Sequence, residues 1–159
     1  MITHKDNQWL TFCESGARIF STCGKNKVFS IIVDASNHIV GQGYNGVPSG
    51  MVHCEDGGCP RFLNDVPSGT NYDSGPGLCF AAHAEANALA HGDGTRYKES
   101  TIYVNCSPCL ACARQIAASG IKRIVYLVKD DRHCDTTTAN FLDTAGVDVD
   151  FSDLSQSHS

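Results

Sequence analysis

The sequence predicts an α/β domain of three layers (α/β/α), with helices on both faces of a five-stranded mixed sheet whose last strands run parallel. Three observations lead there. A helical pattern near the N-terminus runs into two strand-like segments joined by a turn. Three more strand-like segments then alternate with helical ones, a βαβαβ order whose crossovers favour parallel pairing. The 159 residues, 42% of them hydrophobic, suffice for one core but not for a second large domain.

Each element has its own signal. Asn7 to Ser21 sets Trp9, Phe12, Cys13, Ala17 and Phe20 at helical spacing. Val28 to Val33 and His38 to Gly43 read as strands around a turn at Ala35-Ser36-Asn37. Ala81 to Ala90, rich in alanine and stopped by Gly92, reads as a short helix with His83 in its first turn. Thr101 to Val104 is a strand. Ser107-Pro108 suggests an N-cap and first helical residue for a helix reaching about Ser119 and Gly120. Ile124 to Val128 is the next strand, Thr136 to Ala145 a helix capped by Asp135, and Val147 to Phe151 the last strand. Residues 1–151 are thus expected to form a single domain, with 56–78 as an inserted loop region and 152–159 as a flexible tail.

The chemistry concentrates in His83-Ala84-Glu85 and Pro108-Cys109-Leu110-Ala111-Cys112. One imidazole and two thiolates leave the fourth tetrahedral position of a zinc ion open to water, as in catalytic rather than structural sites. Cysteines three residues apart near a helix N-terminus share one face, and the positive helix end favours their thiolates. Glu85, two residues past His83, is turned from ligation and suited to general acid/base work. A closed zinc knuckle, or thiols merely buried as small hydrophobes, would have no use for that carboxylate.

A net charge of −5 without any basic run argues against polymeric nucleic acid as substrate. No apolar stretch approaches membrane-span length, and residues 1–7 are too polar for a signal peptide, so a soluble, cytoplasmic protein is expected. Nine cysteines without a secretion signal favour metal ligands and free thiols over a disulfide scaffold. Cys13, Cys106 and Cys134 are assigned to packing or surface.

H-x-E followed by P-C-x-x-C is the signature of zinc nucleobase deaminases. With Gly43-Tyr44-Asn45-Gly46-Val47-Pro48-Ser49-Gly50, His53-Cys54 through Gly58-Cys59, Ser21-Thr22-Cys23 and Gly120-Ile121-Lys122-Arg123-Ile124-Val125-Tyr126, the chain resembles the deoxycytidylate (dCMP) deaminase family of the cytidine deaminase superfamily over most of its length. The resemblance implies a cytidine deaminase-like fold and zinc-dependent hydrolytic deamination of a cytosine nucleotide, dCMP to dUMP plus ammonia. His83, Cys109 and Cys112 would hold the zinc, and Glu85 would shuttle protons. Asn45 would line the nucleoside pocket, although an Asn before Gly also suits a turn. The resemblance further implies a possible second, structural zinc on Cys23, Cys54, Cys59 and Cys79, with His53 as a substitute ligand because Cys79 stands one residue nearer His83 than the family pattern. Such a clip would fix a loop too polar to hold itself by burial. Homo-oligomers, commonly hexamers, and control by dCTP and dTTP occur in the family.

Departures from the family bear on substrate. Phe29-Ser30 stand where Gly-Ala is usual on the first strand, so Phe29 either changes the volume of the base pocket or points to the opposite face, and Ser30 adds a polar group in place of a methyl. Ala81-Ala82 replace a basic residue before the histidine. Lys25 is then the first candidate for a substrate phosphate, with Arg61 and Lys129 behind it. Two alternatives remain open: the same chemistry on another aminated heterocycle (cytidine, a guanine-like base or a specialised metabolite), and a non-catalytic zinc-binding module.

Overall fold

The computed structural model describes residues 1–129 and 133–153. Helix α1 (His4–Phe20) starts at Thr3, whose hydroxyl accepts from the Asp6 N–H while the Asp6 carboxylate accepts from the Thr3 N–H, a full capping box. Strands β1 (Phe29–Val33) and β2 (Ile39–Tyr44) form the hairpin. A short helix α2 (Pro60–Leu63) lies in the insert. Then follow α3 (Ala84–His91), β3 (Thr101–Val104), α4 (Leu110–Ala118), β4 (Arg123–Leu127), α5 (Thr136–Thr144) and β5 (Asp148–Ser152).

The sheet order is β2-β1-β3-β4-β5, with β1 antiparallel to both neighbours and β3, β4 and β5 parallel. This is the five-stranded mixed sheet expected. One face buries Ile32, Ile102, Val104 and Ile124 against α3, α4 and α5 through Ala84, Ala88, Ile116 and Leu142. The other buries Phe29, Ile31, Tyr103 and Val125 against Leu10, Cys13 and Ala17 of α1. The β3–α4–β4–α5–β5 crossovers put both their helices on one face, and α1 covers the other.

Three sequence expectations need correction. Ser107-Pro108 do not open α4; Cys109 is its N-cap, with extended backbone (φ −86°, ψ 165°). His83 likewise caps α3 instead of lying inside its first turn. The expected tail does not begin at Ser152, which pairs in β5: the Val128 N–H donates to its carbonyl, and its hydroxyl donates to Asn7. Residues 154–159 lie outside the described residues.

The position of α3 depends on Gly43. A Cβ there would stand 2.4 Å from the Ala88 nitrogen and 2.7 Å from the Ala84 carbonyl, both backbone atoms that cannot swing aside. Gly43→Ala therefore displaces α3 or β2, with an overpacking cost of about 1–3 kcal/mol. A thermal melt should show Tm lowered by roughly 2–10 °C, together with reduced turnover, because α3 carries the site described next. An unchanged Tm would mean that the strand and helix can part without penalty.

Candidate active site

Two helix N-termini meet beside the C-terminal end of β3 and the N-terminal end of β1, which the antiparallel Ser30–Val104 pairing sets side by side. An antiparallel bridge sets the approach to α3: the Ala82 N–H donates to the Gly46 carbonyl at 2.9 Å, and Gly46 returns the bond at 3.3 Å. That pairing delivers His83 as the N-cap of α3, while Cys109 caps α4 and Cys112 stands three residues on. His83 Nδ1 lies 3.5 Å from Cys109 Sγ and 3.4 Å from Cys112 Sγ, and the three ligand atoms all lie within 4.8 Å of one another. A tetrahedral zinc with the usual Zn–S and Zn–N bond lengths spans an S···N edge of about 3.5 Å, so the trio fits that ion as it stands. The extended backbone at Cys109 explains why the helix starts later than Ser107-Pro108 suggests: the cap conformation places its sulfur beside that of Cys112.

The electrostatics agree with a thiolate-bearing site. A hydrogen bond from Cys112, assisted by His83, holds the Cys109 thiol well below its ordinary value, down to about 4. The same bond, together with burial, pushes Cys112 up. Both helix ends add positive potential from unpaired N–H groups. Glu85, the second residue of α3, is 3% exposed, and burial raises its carboxyl above the usual range. It lines, with His83 and Cys109, a cavity of about 230 Å³.

The remaining predicted residues divide between this cavity and elsewhere. Asn45 lines it, 9% exposed. Its side-chain oxygen accepts from the Val28 N–H at 2.9 Å and from the Ser21 hydroxyl, and its amide donates to the Asn26 carbonyl at 2.6 Å, leaving one N–H without an acceptor among the described residues. Cys23, Cys54, Cys59 and Cys79 all line it too, with Cys59 and Cys79 sulfurs 4.0 Å apart. Cys54 hydrogen-bonds Cys59, and Cys23 is an electrostatic neighbour of Cys54 and Cys79. Among the described residues only the His83 trio meets within 4.8 Å, so the four thiols converge more loosely. Lys25 lines the cavity but donates to the Val66 carbonyl at 2.8 Å and pairs with Asp65 at 3.4 Å.

Of the two courses open to Phe29 the structure has the second, and the readings of Ser30, His53 and Lys129 are corrected. Phe29 faces α1, 6.1 Å from the rings of both Phe12 and Phe20, and lines a second cavity with Phe20 and Tyr44. Ser30 is fully buried with its hydroxyl donated to the Tyr103 carbonyl, so it contributes nothing to the wall of the zinc-type cavity. His53, the neighbour of Cys54, lines the second cavity and not the one whose wall the four cysteines share. Lys129 pairs with Glu14 of α1 at 2.6 Å and is absent from both cavity walls. Conversely, Cys106, assigned to packing or surface, lines the site cavity, as does Tyr72, whose ring meets His83 edge-on at 6.3 Å. Nothing local announces Tyr72, since it sits in a Gly-, Pro- and Ser-rich loop without periodicity.

Comparison with known proteins bears on this arrangement. Residues 3–128 match the family model described as the cytidine and deoxycytidylate deaminase zinc-binding region. The deoxycytidylate deaminase of Mycobacterium phage D29 is 45% identical over 107 residues, 67% of this chain and 81% of that protein. That of Schizosaccharomyces pombe is 36% identical over 130 residues, 81% of this chain but only 38% of the relative. The crystal structure of a dCMP deaminase from the cyanophage S-TIM5 in apo form superposes with a TM-score of 0.66 at 25% identity, covering 96% of this chain and 100% of that one. A family model spanning most of the chain, and a His-Cys-Cys cluster at zinc-compatible distances where that model describes a zinc-binding region, lead to one conclusion: this chain belongs to the cytidine and deoxycytidylate deaminase family.

Proposed function

We propose that this chain deaminates dCMP to dUMP, with water replacing the amine at the pyrimidine C4 and ammonia leaving. The observation that carries the reading is the buried Glu85 two residues from a His83 imidazole whose Nδ1 stands within 3.5 Å of the Cys109 and Cys112 sulfurs, with Glu85, His83 and Cys109 on one cavity wall. His83, Cys109 and Cys112 would hold a zinc ion, which would supply the Lewis acid that makes water nucleophilic near neutral pH. Glu85 takes one proton from the attacking water and delivers it to the ring nitrogen, then carries the second proton, from the hydroxyl formed at C4, to the amine as the C4–N bond breaks and ammonia leaves. Its burial suits both roles, because a carboxyl raised above its usual range can hold a proton as well as accept one. Asn45, with one N–H uncommitted, is placed to donate to a sugar hydroxyl.

The deoxycytidylate specificity is drawn from the named relatives and from the absence of Phe29 and Ser30 from the cavity wall, which leaves the first-strand departures without a route to the base. A second, structural zinc on Cys23, Cys54, Cys59 and Cys79 is supported by their shared cavity wall and the Cys59–Cys79 approach. Self-association has support in Phe12, Ile19, Phe20 and Tyr44, apolar side chains each more than 40% exposed. No helix among the described residues is long and apolar enough to cross a membrane, in keeping with a cytoplasmic location.

Ammonia release from dCMP, cytidine, cytosine, guanine and adenosine tests the assignment. dCMP should give the highest kcat/KM, and chelation followed by zinc readdition should abolish and restore it. Turnover of guanine or adenosine with none on any phosphorylated pyrimidine would reject the nucleotide reading while keeping the chemistry.

A further inference from the structure

Arg61 is a buried cation with no carboxylate partner among the described residues. It is 6% exposed, and it forms no ion pair among the described residues. Its Nη1 donates to the carbonyls of Thr70 at 2.9 Å and Gly77 at 3.1 Å, and its guanidinium lies 3.8 Å from the centre of the Tyr72 ring. One edge of the guanidinium is therefore docked on the insert and one face is covered. The other edge, Nε–H and the two Nη2 N–H groups, donates to no acceptor among the described residues. Taking an unpaired charge from water costs several kcal/mol, so a buried guanidinium normally meets a carboxylate or a phosphate. Arg61 lines the same cavity as His83, Glu85 and Asn45, and Tyr72 bridges it to the His83 ring.

We propose that the free edge of Arg61 binds the 5′-phosphate of the substrate in a side-on, two-bond geometry. The Nε–H and Nη2–H pair forms the planar fork that fits two phosphate oxygens, and the carbonyls and Tyr72 hold it in place before the ligand arrives. Lys25, on the same wall, is already engaged by Val66 and Asp65, which makes Arg61 the anchor and Lys25 at most an addition to the field. This inference rests on the nucleotide reading above and assigns its phosphate subsite. The competing role for Arg61 is a counter-charge and strut for the loop between Cys59 and Cys79.

The two roles separate when kcat/KM is measured for dCMP and for deoxycytidine, with zinc content, in the wild type, Arg61→Gln and Arg61→Lys. Arg61→Gln should lower the dCMP-to-deoxycytidine ratio at least ~10-fold, mainly through the dCMP KM, and Arg61→Lys should fall between because a point charge lacks the fork. Inorganic phosphate should compete with dCMP in the wild type and compete less well in both variants. An unchanged ratio in Arg61→Gln, or equal losses on both substrates together with lost zinc, overturns the phosphate role in favour of the strut. Should Arg61→Gln fail to fold, the lysine variant and phosphate competition in the wild type decide, and phosphate that does not compete counts against the proposal. A wild type that deaminates deoxycytidine as well as dCMP sinks the nucleotide reading itself, whereas a preference for dCMP that survives in Arg61→Gln sinks only the role of Arg61.

Discussion

Glu85→Gln should lower kcat by about 10²–10⁴-fold while the protein keeps its full complement of zinc, because the amide fills the same volume but cannot relay a proton. That loss corresponds to about 3–5 kcal/mol of transition-state stabilisation. The side chain is 3% exposed, and its burial already disfavours the charged form, so the neutral amide should leave Tm unchanged or raise it. The two readouts thus move in opposite directions, as expected where a buried ionisable group is retained for chemistry at the expense of stability. Ammonia release, elemental analysis and a thermal melt on the same preparation check the claim. Turnover within a few-fold of wild type would remove Glu85 from the mechanism, and lost zinc would recast it as part of the metal's support.

How much of this was legible in the sequence depended on whether a residue's role is local. The ligand spacing was local: His83 and Cys109 both stand at helix N-termini, where short-range signals in alanine-rich and proline-containing segments place them within two residues. The facing of Phe29 was not local. All five residues of β1 are buried, so the strand has no polar alternation to tell one face from the other, and its orientation is fixed only by pairing with β3 and packing on α1. The wall of the cavity was least legible. Arg61 and Tyr72 come together through carbonyls of a loop whose composition announces only turns, and the charge of Arg61 looks like any surface cation until its burial is seen. Ser152 shows the reverse case, a polar residue beside a Ser-rich stretch that edge pairing with β4 nevertheless keeps in the sheet.

Asp6→Ala should cost about 3–5 kcal/mol, since it removes at once the acceptor of the Arg123 guanidinium, the Tyr103 hydroxyl and the Thr3 N–H, leaving Arg123 with Asp150 as its carboxylate partner at 2.8 Å. The Asp6 carboxylate is 2% exposed and accepts from Arg123 Nη1 at 2.9 Å and Nη2 at 3.0 Å, from the Tyr103 hydroxyl at 2.7 Å, and from the Thr3 N–H and hydroxyl. Those bonds tie the start of α1 to β3 and β4, so the capping box is lost as well. At two to four degrees per kcal/mol, Tm should fall by about 6–20 °C. The effect should also depend on pH with a defined sign. Burial pushes the Asp6 carboxyl up, but Arg123, the Thr3 N–H and Tyr103 outweigh it and hold the group well below the carboxylate range. A depressed folded pKa stabilises fully above the unfolded value of about 4 and less as pH falls below it. The stability gap between wild type and Asp6→Ala should therefore be constant from neutral pH down to about 5 and narrow below about 4. Protonation of the metal ligands in acid affects both proteins alike and cancels in the gap. Removing both partners, Asp6→Ala with Arg123→Met, should cost less than the sum of the two single changes, because either change alone already breaks the Asp6–Arg123 pair. Strict additivity in that cycle, or a gap independent of pH, would show that Asp6 acts through its cap alone.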